Sequence, residues 1–242
     1  MPIAAGFPAA AGDHPKPRKD RQLRVKIAIN KAHFPVTVLG PGRRLGLWLQ
    51  GCSIRCRGCV SQDTWARDPG REMTVARLLT WCKQTSENAL DGITISGGEP
   101  FDQAPALGAL LDALRHWRSS AGLDFDILCY SGYPLATLQK RHAKLLAKLD
   151  ALIPEPYAEG LPLTHLWRGS ANQKLIPLSP LGVARYQPYL DAPAAMFGKR
   201  IQVQVADGRL WSIGIPDRGD MAALEKLAGE RGLLFSDVSW RQ

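Results

Sequence analysis

Three cysteines lie close together in residues 51–59, and they are the side chains of this chain best suited to holding a metal centre. Cys52, Cys56 and Cys59 have the spacing C-x3-C-x2-C, with no fourth cysteine nearby. Thiolates bind iron–sulfur clusters or zinc, and a closed structural site normally takes four ligands. Three ligands on one loop leave a coordination position open, and an open position is where a metal centre meets its substrate. The spacing therefore predicts a reactive metal centre.

Composition places the chain among soluble globular proteins of one domain, or of one domain with an appendage. It has 242 residues, of which 45% are hydrophobic and 22% charged, which is enough to bury a full core. No apolar run approaches the roughly 18 residues of a membrane span. Two prolines interrupt the first dozen residues, and no basic segment precedes them. A secretory signal is therefore not expected. Five cysteines do not form a disulfide framework, which favours a reducing cytoplasm.

The formal charge of +9 includes a group of basic residues near the N-terminus. Residues 1–22 are rich in Pro, Ala, Gly and basic side chains, and we interpret them as a disordered basic tail. An alternative interpretation is attraction for an acidic partner, such as a small electron carrier or a nucleic acid. Charge alone does not choose between the two.

Short apolar strands alternate with amphipathic helices through the first two thirds of the chain, which predicts βαβ units and a parallel sheet. One helix begins after Thr74 as its N-cap, and its apolar stripe includes Cys82, which makes Cys82 a core residue. Asp102 is predicted to cap the next helix. Cys129 lies inside an apolar strand and is also assigned to the core. The predicted strands are 24–30, 45–49, 92–95, 126–130 and 151–153.

The order of strands and loops predicts where a site would form. Right-handed crossovers place all strand-to-helix loops at one edge of a parallel sheet, and active sites lie at that edge. The cysteine loop, the turn Gly97–Glu99 and the turn Tyr130–Gly132 each follow a predicted strand. We therefore expect these three loops to converge.

Beyond residue 174 the pattern changes. Prolines mark an irregular connection, and two alternating segments then flank Asp207-Gly208, a hairpin turn signal. A helix follows with Asp220 as its predicted cap. This ββα unit is interpreted as an appendage to the core.

The cysteine spacing, followed by Ser96-Gly97-Gly98-Glu99-Pro100, resembles the radical S-adenosylmethionine (SAM) superfamily. Residues 40–173 are similar to the activating enzyme of anaerobic ribonucleotide reductase, in the glycyl-radical activase group. The resemblance implies a partial (β/α) barrel of parallel strands over residues 23–174, with residues 175–242 as the C-terminal accessory unit. The matching segments are Gly51-Cys52, Gly58-Cys59, Thr64-Trp65, Ser96-Gly97-Gly98, Tyr130-Ser131-Gly132-Tyr133 and Trp167-Arg168-Gly169-Ser170-Ala171-Asn172-Gln173.

The resemblance implies two cofactors, a [4Fe–4S] cluster and SAM. Cys52, Cys56 and Cys59 would bind three irons, and SAM would chelate the fourth. One electron would cleave SAM to a 5′-deoxyadenosyl radical that abstracts hydrogen from the substrate. An acidic electron donor such as flavodoxin or ferredoxin and a protein substrate are the implied partners. Ser96, Gly97, Gly98 and Glu99 would hold the methionine end of SAM, and Tyr130, Ser131 and Gly132 would lie against its ribose or adenine.

Two departures leave the substrate open. Residues 153–157, IPEPY, replace the Asp-Gly found after this strand in the family, and the chain extends well past Gln173. One alternative is a radical SAM enzyme that modifies a small molecule or a peptide. Another is a non-catalytic interaction module with a structural cluster or zinc. Nucleic-acid modification ranks lower, because the basic tail lacks interleaved aromatic residues.

Overall fold

The computed structural model describes residues 23–198, 201–206, 209–235 and 238–241. The predicted basic tail and the predicted turn at Asp207-Gly208 therefore lie outside the described residues. The helices and strands are β1 (Lys26–Val36), β2 (Arg44–Leu49), β3 (Glu72–Thr74), α1 (Val75–Ser86), β4 (Gly92–Gly97), α2 (Ala104–Ser120), β5 (Asp126–Tyr130), α3 (Leu135–Leu146), β6 (Ala151–Ile153), β7 (Ile176–Pro177), α4 (Pro180–Tyr186), β8 (Ile201–Ala206), β9 (Arg209–Gly214) and α5 (Asp220–Gly229).

The main sheet has the strand order β3-β1-β2-β4-β5-β6-β7. Strands β2, β4, β5 and β6 are parallel, which confirms the predicted α/β class. Antiparallel strands flank them, since β1 pairs with β2 and β3, and β7 pairs with β6. The five predicted strands are present, although β1 continues to Val36 and β4 to Gly97.

Helices α1, α2 and α3 cover one face of this sheet. Alternate strand residues such as Ile93 and Ile95 point toward them and are fully buried, as the period-two pattern of a strand requires. The helices contribute apolar stripes at a helical spacing, and Cys82 belongs to the stripe of α1. Cys82 and Cys129 are both fully buried in this layer, so their assignment to the core is confirmed.

The opposite face is covered by chain segments rather than by long helices. Leu128 and Ile153 pack there against residues 166–192, and Trp48 packs against the β8–β9 hairpin through Ile213. Helix α4 lies in a region predicted to be an irregular connection. Its Pro180 occupies the first helical turn, where proline is tolerated, and Ser179 accepts a hydrogen bond from the Gly182 amide as N-cap.

One predicted cap is confirmed and two are wrong. The Thr74 hydroxyl accepts from the Arg77 amide at the start of α1. Asp102 does not cap α2, because its carboxylate is used by other loops, and the N-cap position is Gln103. Asp220 lies inside α5, whose N-cap is Gly219. No helix among the described residues is long and apolar enough to cross a membrane.

Candidate functional site

A cavity of about 220 Å³ opens at the carboxyl edge of the parallel strands, and all of the predicted site residues line it. The cysteine loop, the Gly97–Glu99 turn and the Tyr130–Gly132 turn converge there, as the strand order predicted. The predicted residues in its wall are Cys52, Cys56, Cys59, Ser96, Gly97, Gly98, Glu99, Tyr130, Ser131 and Gly132.

The cysteine loop is held at its start by backbone hydrogen bonds. The Gly51 amide donates to the Thr64 carbonyl at 2.7 Å, and the Cys52 amide donates to the Trp65 carbonyl at 3.1 Å. Gly51 and Gly58 have positive φ angles of 97° and 72°, which glycine adopts without steric cost. The three thiols are free and half-buried, and burial raises the pKa of each.

The Gly97–Glu99 turn is joined directly to the cysteine loop. The Glu99 amide donates to the Gly51 carbonyl at 2.9 Å, and the Gly98 amide donates to the Leu49 carbonyl at 2.8 Å. A Cβ at Gly98 would lie 2.1 Å from the Gly51 carbonyl oxygen. The family resemblance assigned this glycine to holding the methionine end of SAM. The structure gives a nearer reason, which is that the turn must fit against the backbone of the cysteine loop.

The Glu99 carboxylate is buried and is bonded by neutral donors. It is 1% exposed, and it accepts from the Phe101 amide at 3.0 Å, the Ser131 hydroxyl at 2.9 Å and the Gly132 amide at 2.7 Å. Burial raises the pKa of Glu99 to about 7, because the three donors compensate only part of the desolvation of the charge. Glu99 thereby joins the second and third loops of the site.

Asp102, which follows the Gly97–Glu99 turn, joins the other two loops of the site from outside the cavity. Its carboxylate accepts from the Ser53 amide at 2.7 Å, from the Ser53 hydroxyl at 2.9 Å and from the Tyr133 hydroxyl at 2.7 Å. Ser53 follows the first cysteine, and Tyr133 follows the Tyr130–Gly132 turn. The residue predicted as a helix cap is therefore a tie between loops.

Sequence reasoning gave no role to the segment 167–173, which proves to order one wall of the cavity. Its side chains bind the backbone of residues 155–158: Gln173 donates to the Glu155 carbonyl at 2.9 Å and Asn172 to the Pro156 carbonyl at 2.8 Å. Glu155 and Tyr157, in the segment that departs from the family pattern, consequently line the cavity. The sequence signal for this role was the group of polar side chains at residues 170–173, which can form hydrogen bonds with backbone carbonyl and amide groups.

Arg55 and Arg57 lie inside the cysteine loop but face solvent. The Arg57 side chain is 93% exposed and pairs with Glu159 at 3.0 Å, and Arg55 is also exposed. His116 is exposed, and His142 is half-buried with its ring 5.2 Å from that of Phe101.

The C-terminal ββα unit contacts the site. Gly214, Ile215 and Pro216 line the cavity. The Gln62 amide donates to the Ser239 carbonyl at 2.7 Å, just after the cysteine loop. A second, wider groove of about 1060 Å³ lies between the cysteine loop, residues 157–160 and α5, and it shares Cys59, Tyr157 and Pro216 with the cavity.

The donor set suits an iron–sulfur cluster. Three thiols face one cavity, and thiolates are the soft ligands that these clusters take. No group of three or more His, Cys, Asp or Glu side chains in the described part of the chain is arranged to hold a metal ion. A [4Fe–4S] cluster does not require the three thiolates to converge on one ion, since each thiolate binds a separate iron.

Comparisons with known proteins agree with this chemistry. Residues 38–176 match the family described as "4Fe-4S single cluster domain". The anaerobic ribonucleoside-triphosphate reductase-activating protein of Vibrio cholerae is 33% identical over 146 residues, which are 58% of this chain and 92% of that protein. The pyruvate formate-lyase-activating enzyme of Staphylococcus epidermidis is 33% identical over 141 residues, 54% of this chain and 56% of that enzyme.

Among solved structures, QueE from Escherichia coli aligns over 49% of this chain and 58% of its own, with a TM-score of 0.38 and 19% identity. That likeness is too weak to bear on the fold. The family match covers more than half of the chain and contains all the predicted site residues. The chain therefore belongs to the 4Fe-4S single cluster domain family and is a radical SAM enzyme of the glycyl-radical activase type, with a [4Fe–4S] cluster and SAM as its cofactors.

Proposed function

We propose that this enzyme binds a [4Fe–4S] cluster through Cys52, Cys56 and Cys59 and abstracts a hydrogen atom from a protein partner. When bound, the cluster and SAM supply the reductive cleavage that gives methionine and a 5′-deoxyadenosyl radical. The observation that carries the proposal is the single cavity at the carboxyl edge, where the three thiols and the two turns meet.

The two turns are suited to holding SAM, which carries positive charge on its amino group and its sulfur. Ser96, Gly97, Gly98 and Glu99 would bind the methionine end. The buried Glu99 carboxylate has neutral donors as its hydrogen-bond partners and would attract that positive charge. Tyr130, Ser131 and Gly132 would contact the ribose or adenine from the opposite turn. Excluding water around this part of the cavity protects a reactive species from side reactions.

A protein substrate is favoured by the groove beside the cavity. The groove is large and open, and it meets the cavity at Gly58, Cys59, Val60, Tyr157 and Pro216. An extended segment of a partner could follow it to the cysteine loop. Since α5 forms one side of this groove, we propose that the C-terminal ββα unit selects the substrate. The alternative of a small-molecule or peptide substrate draws support from Gly214–Pro216, which partly enclose the cavity.

An acidic electron donor is the second partner in this proposal. Arg55 and Arg57 are exposed on the cysteine loop, next to the proposed cluster, and the chain carries a formal charge of +9. Charge complementarity of this kind accelerates the encounter of an electron carrier with its partner.

The decisive experiment is anaerobic reconstitution of the whole chain. We expect wild type to take up about four irons with sulfide, as a [4Fe–4S] cluster requires, and to release methionine and 5′-deoxyadenosine from SAM with dithionite. The triple variant Cys52→Ala, Cys56→Ala, Cys59→Ala should do neither. Cys82→Ala is the matched control, because this thiol is fully buried in the core, and it should retain both. Full iron content in the triple variant, or none in wild type, would refute the proposal.

A further inference from the structure

The indole of Trp65 lines the cavity beside Cys59, and its N–H group is buried without a hydrogen-bond acceptor among the described residues. The backbone of Trp65 is fixed, because its amide donates to the Gln62 carbonyl at 2.9 Å and its carbonyl accepts from the Cys52 amide at 3.1 Å. The ring is therefore carried by the segment that anchors the cysteine loop.

A buried donor without an acceptor is unfavourable, because it has given up its hydrogen bonds to water and gained none in return. Buried polar groups of folded proteins nearly always have a partner, so a lone one calls for an explanation. Four buried side-chain atoms in the described part of the chain have none, and they belong to His33, Asp63, Trp65 and Arg168. Trp65 is the one of these four that lines the cavity. The geometry points to a partner that enters the cavity.

Cys59 is a candidate acceptor, because it lines the same cavity as Trp65. The Ser61 amide donates to its sulfur at 3.4 Å. In the protein alone the indole N–H makes no hydrogen bond to this sulfur or to any other acceptor among the described residues.

We propose that the Trp65 indole N–H donates a hydrogen bond to the Cys59 thiolate, or to a sulfide next to it, when the cluster is bound, and so raises the reduction potential of the cluster. The inference rests on the proposed cluster ligands. The reduced cluster carries one more negative charge than the oxidised cluster, so a donor to its sulfur stabilises the reduced form more strongly. Hydrogen bonds to the sulfurs are among the factors that set the potentials of such clusters.

The test is the variant Trp65→Phe, which keeps an aromatic ring and removes the N–H. Wild type and variant are reconstituted as whole chains without SAM, and their midpoint potentials are measured by redox titration monitored by electron paramagnetic resonance. We expect equal iron and sulfide content and a more negative potential, with the redox equilibrium shifted about tenfold, or about 59 mV for one electron. Trp48→Phe, which removes an indole from the same cavity wall, should leave the potential unchanged.

Iron and sulfide content separates the two proposals, since wild type without a cluster would refute the ligand assignment. With a full cluster, a potential that is unchanged or less negative in Trp65→Phe overturns the role of the indole. If Trp65→Phe does not retain the cluster, the Trp48→Phe protein is labelled with indole-¹⁵N tryptophan and its reduced cluster is studied by electron–nuclear double resonance. A ¹⁵N coupling supports the hydrogen bond, and its absence overturns it.

Discussion

The two edges of the parallel sheet both bury carboxylates, but they satisfy them in different ways. At the amino edge, Asp126 is fully buried and accepts two hydrogen bonds from the Arg44 guanidinium, at 3.0 and 2.7 Å, and one from the Tyr186 hydroxyl. At the carboxyl edge, Glu99 is as deeply buried, yet its hydrogen-bond partners are two amides and a hydroxyl. One edge contains its own counter-charge, and the other has a carboxylate held by neutral groups.

This difference separates a structural edge from the edge where we propose that SAM binds. The Arg44 side chain also bonds Thr94 and the Ile93 carbonyl, and Gly92 leaves room for it, since a Cβ there would lie 2.0 Å from Nη1. Every bond of that network is between groups of the chain, which fixes the parallel strands. Glu99 is instead in the wall of the cavity, where a cationic ligand would complete its electrostatics. Whether a buried charged group has a structural role or a binding role can therefore be judged by whether its counter-charge belongs to the protein.

The largest effect is expected from breaking the amino edge with Asp126→Asn. The substitution leaves the Arg44 charge buried without its counter-charge and should lower the free energy of unfolding by about 3–5 kcal/mol. Urea unfolding of the whole chain measures this loss. Asp124→Asn is the control, because Asp124 is mostly exposed where it pairs with Arg185, and it should cost less than about 1 kcal/mol. Equal effects of the two variants would show that the amino edge is not locked by its ion pair.

The convergence of the site loops could be predicted from the sequence because it depends on local patterns. Strand-length apolar runs, helical stripes and the position of each loop after a strand are visible within a few residues. The strand order then brings the cysteine loop to Gly97–Glu99 and to Tyr130–Gly132 without any knowledge of side-chain contacts. Burial of Cys82 and Cys129 followed from the same periodicity.

Pairings between distant residues could not be predicted in this way. Arg44 and Asp126 are 82 positions apart, and nothing in either local sequence marks a buried pair. Asp102 was assigned to a helix cap because it precedes an apolar stripe, but two loops supplied better donors. Pro180 was interpreted as a sign of irregular chain, whereas it starts α4. For Asp102 tertiary contacts outweighed a local preference, whereas Ser179-Pro180 is a local signal for a helix start that was misinterpreted.

The carboxyl edge can be tested by the pH dependence that Glu99 confers on the protein without its cofactors. Its pKa is about 7 in the folded chain and near the ordinary value of 4.5 in the unfolded chain. The folded state therefore holds the proton more tightly, and the resulting stability is fully present below about pH 4.5 and lost as the pH rises through 7. We expect the stability of wild type relative to Glu99→Gln to fall by about 2 kcal/mol between about pH 5 and pH 7. Urea unfolding at several pH values measures this difference, and a flat profile would mean that Glu99 stays ionised.

The smallest effect on stability is expected from Tyr133→Phe, which tests whether the ties outside the cavity order the cysteine loop. The Tyr133 hydroxyl donates to Asp102, whose carboxylate also accepts from the Ser53 amide and hydroxyl. Because these groups are partly exposed, losing one hydrogen bond should cost only about 0.5–1 kcal/mol. Local opening is a separate quantity from global unfolding, so the loop can become more mobile while overall stability hardly changes.

Hydrogen exchange at the Ser53 amide measures that local opening, and its protection should fall in Tyr133→Phe. Tyr130→Phe is the matched control, since the Tyr130 hydroxyl donates to the Trp167 carbonyl at 2.9 Å and has no bond to the cysteine loop. That variant should lose at least as much global stability and leave the protection of Ser53 unchanged. If both variants, or neither, altered the exchange of Ser53, the Asp102 tie would not be what holds the cysteine loop, and its order would come from the backbone bonds at Gly51 and Cys52 alone.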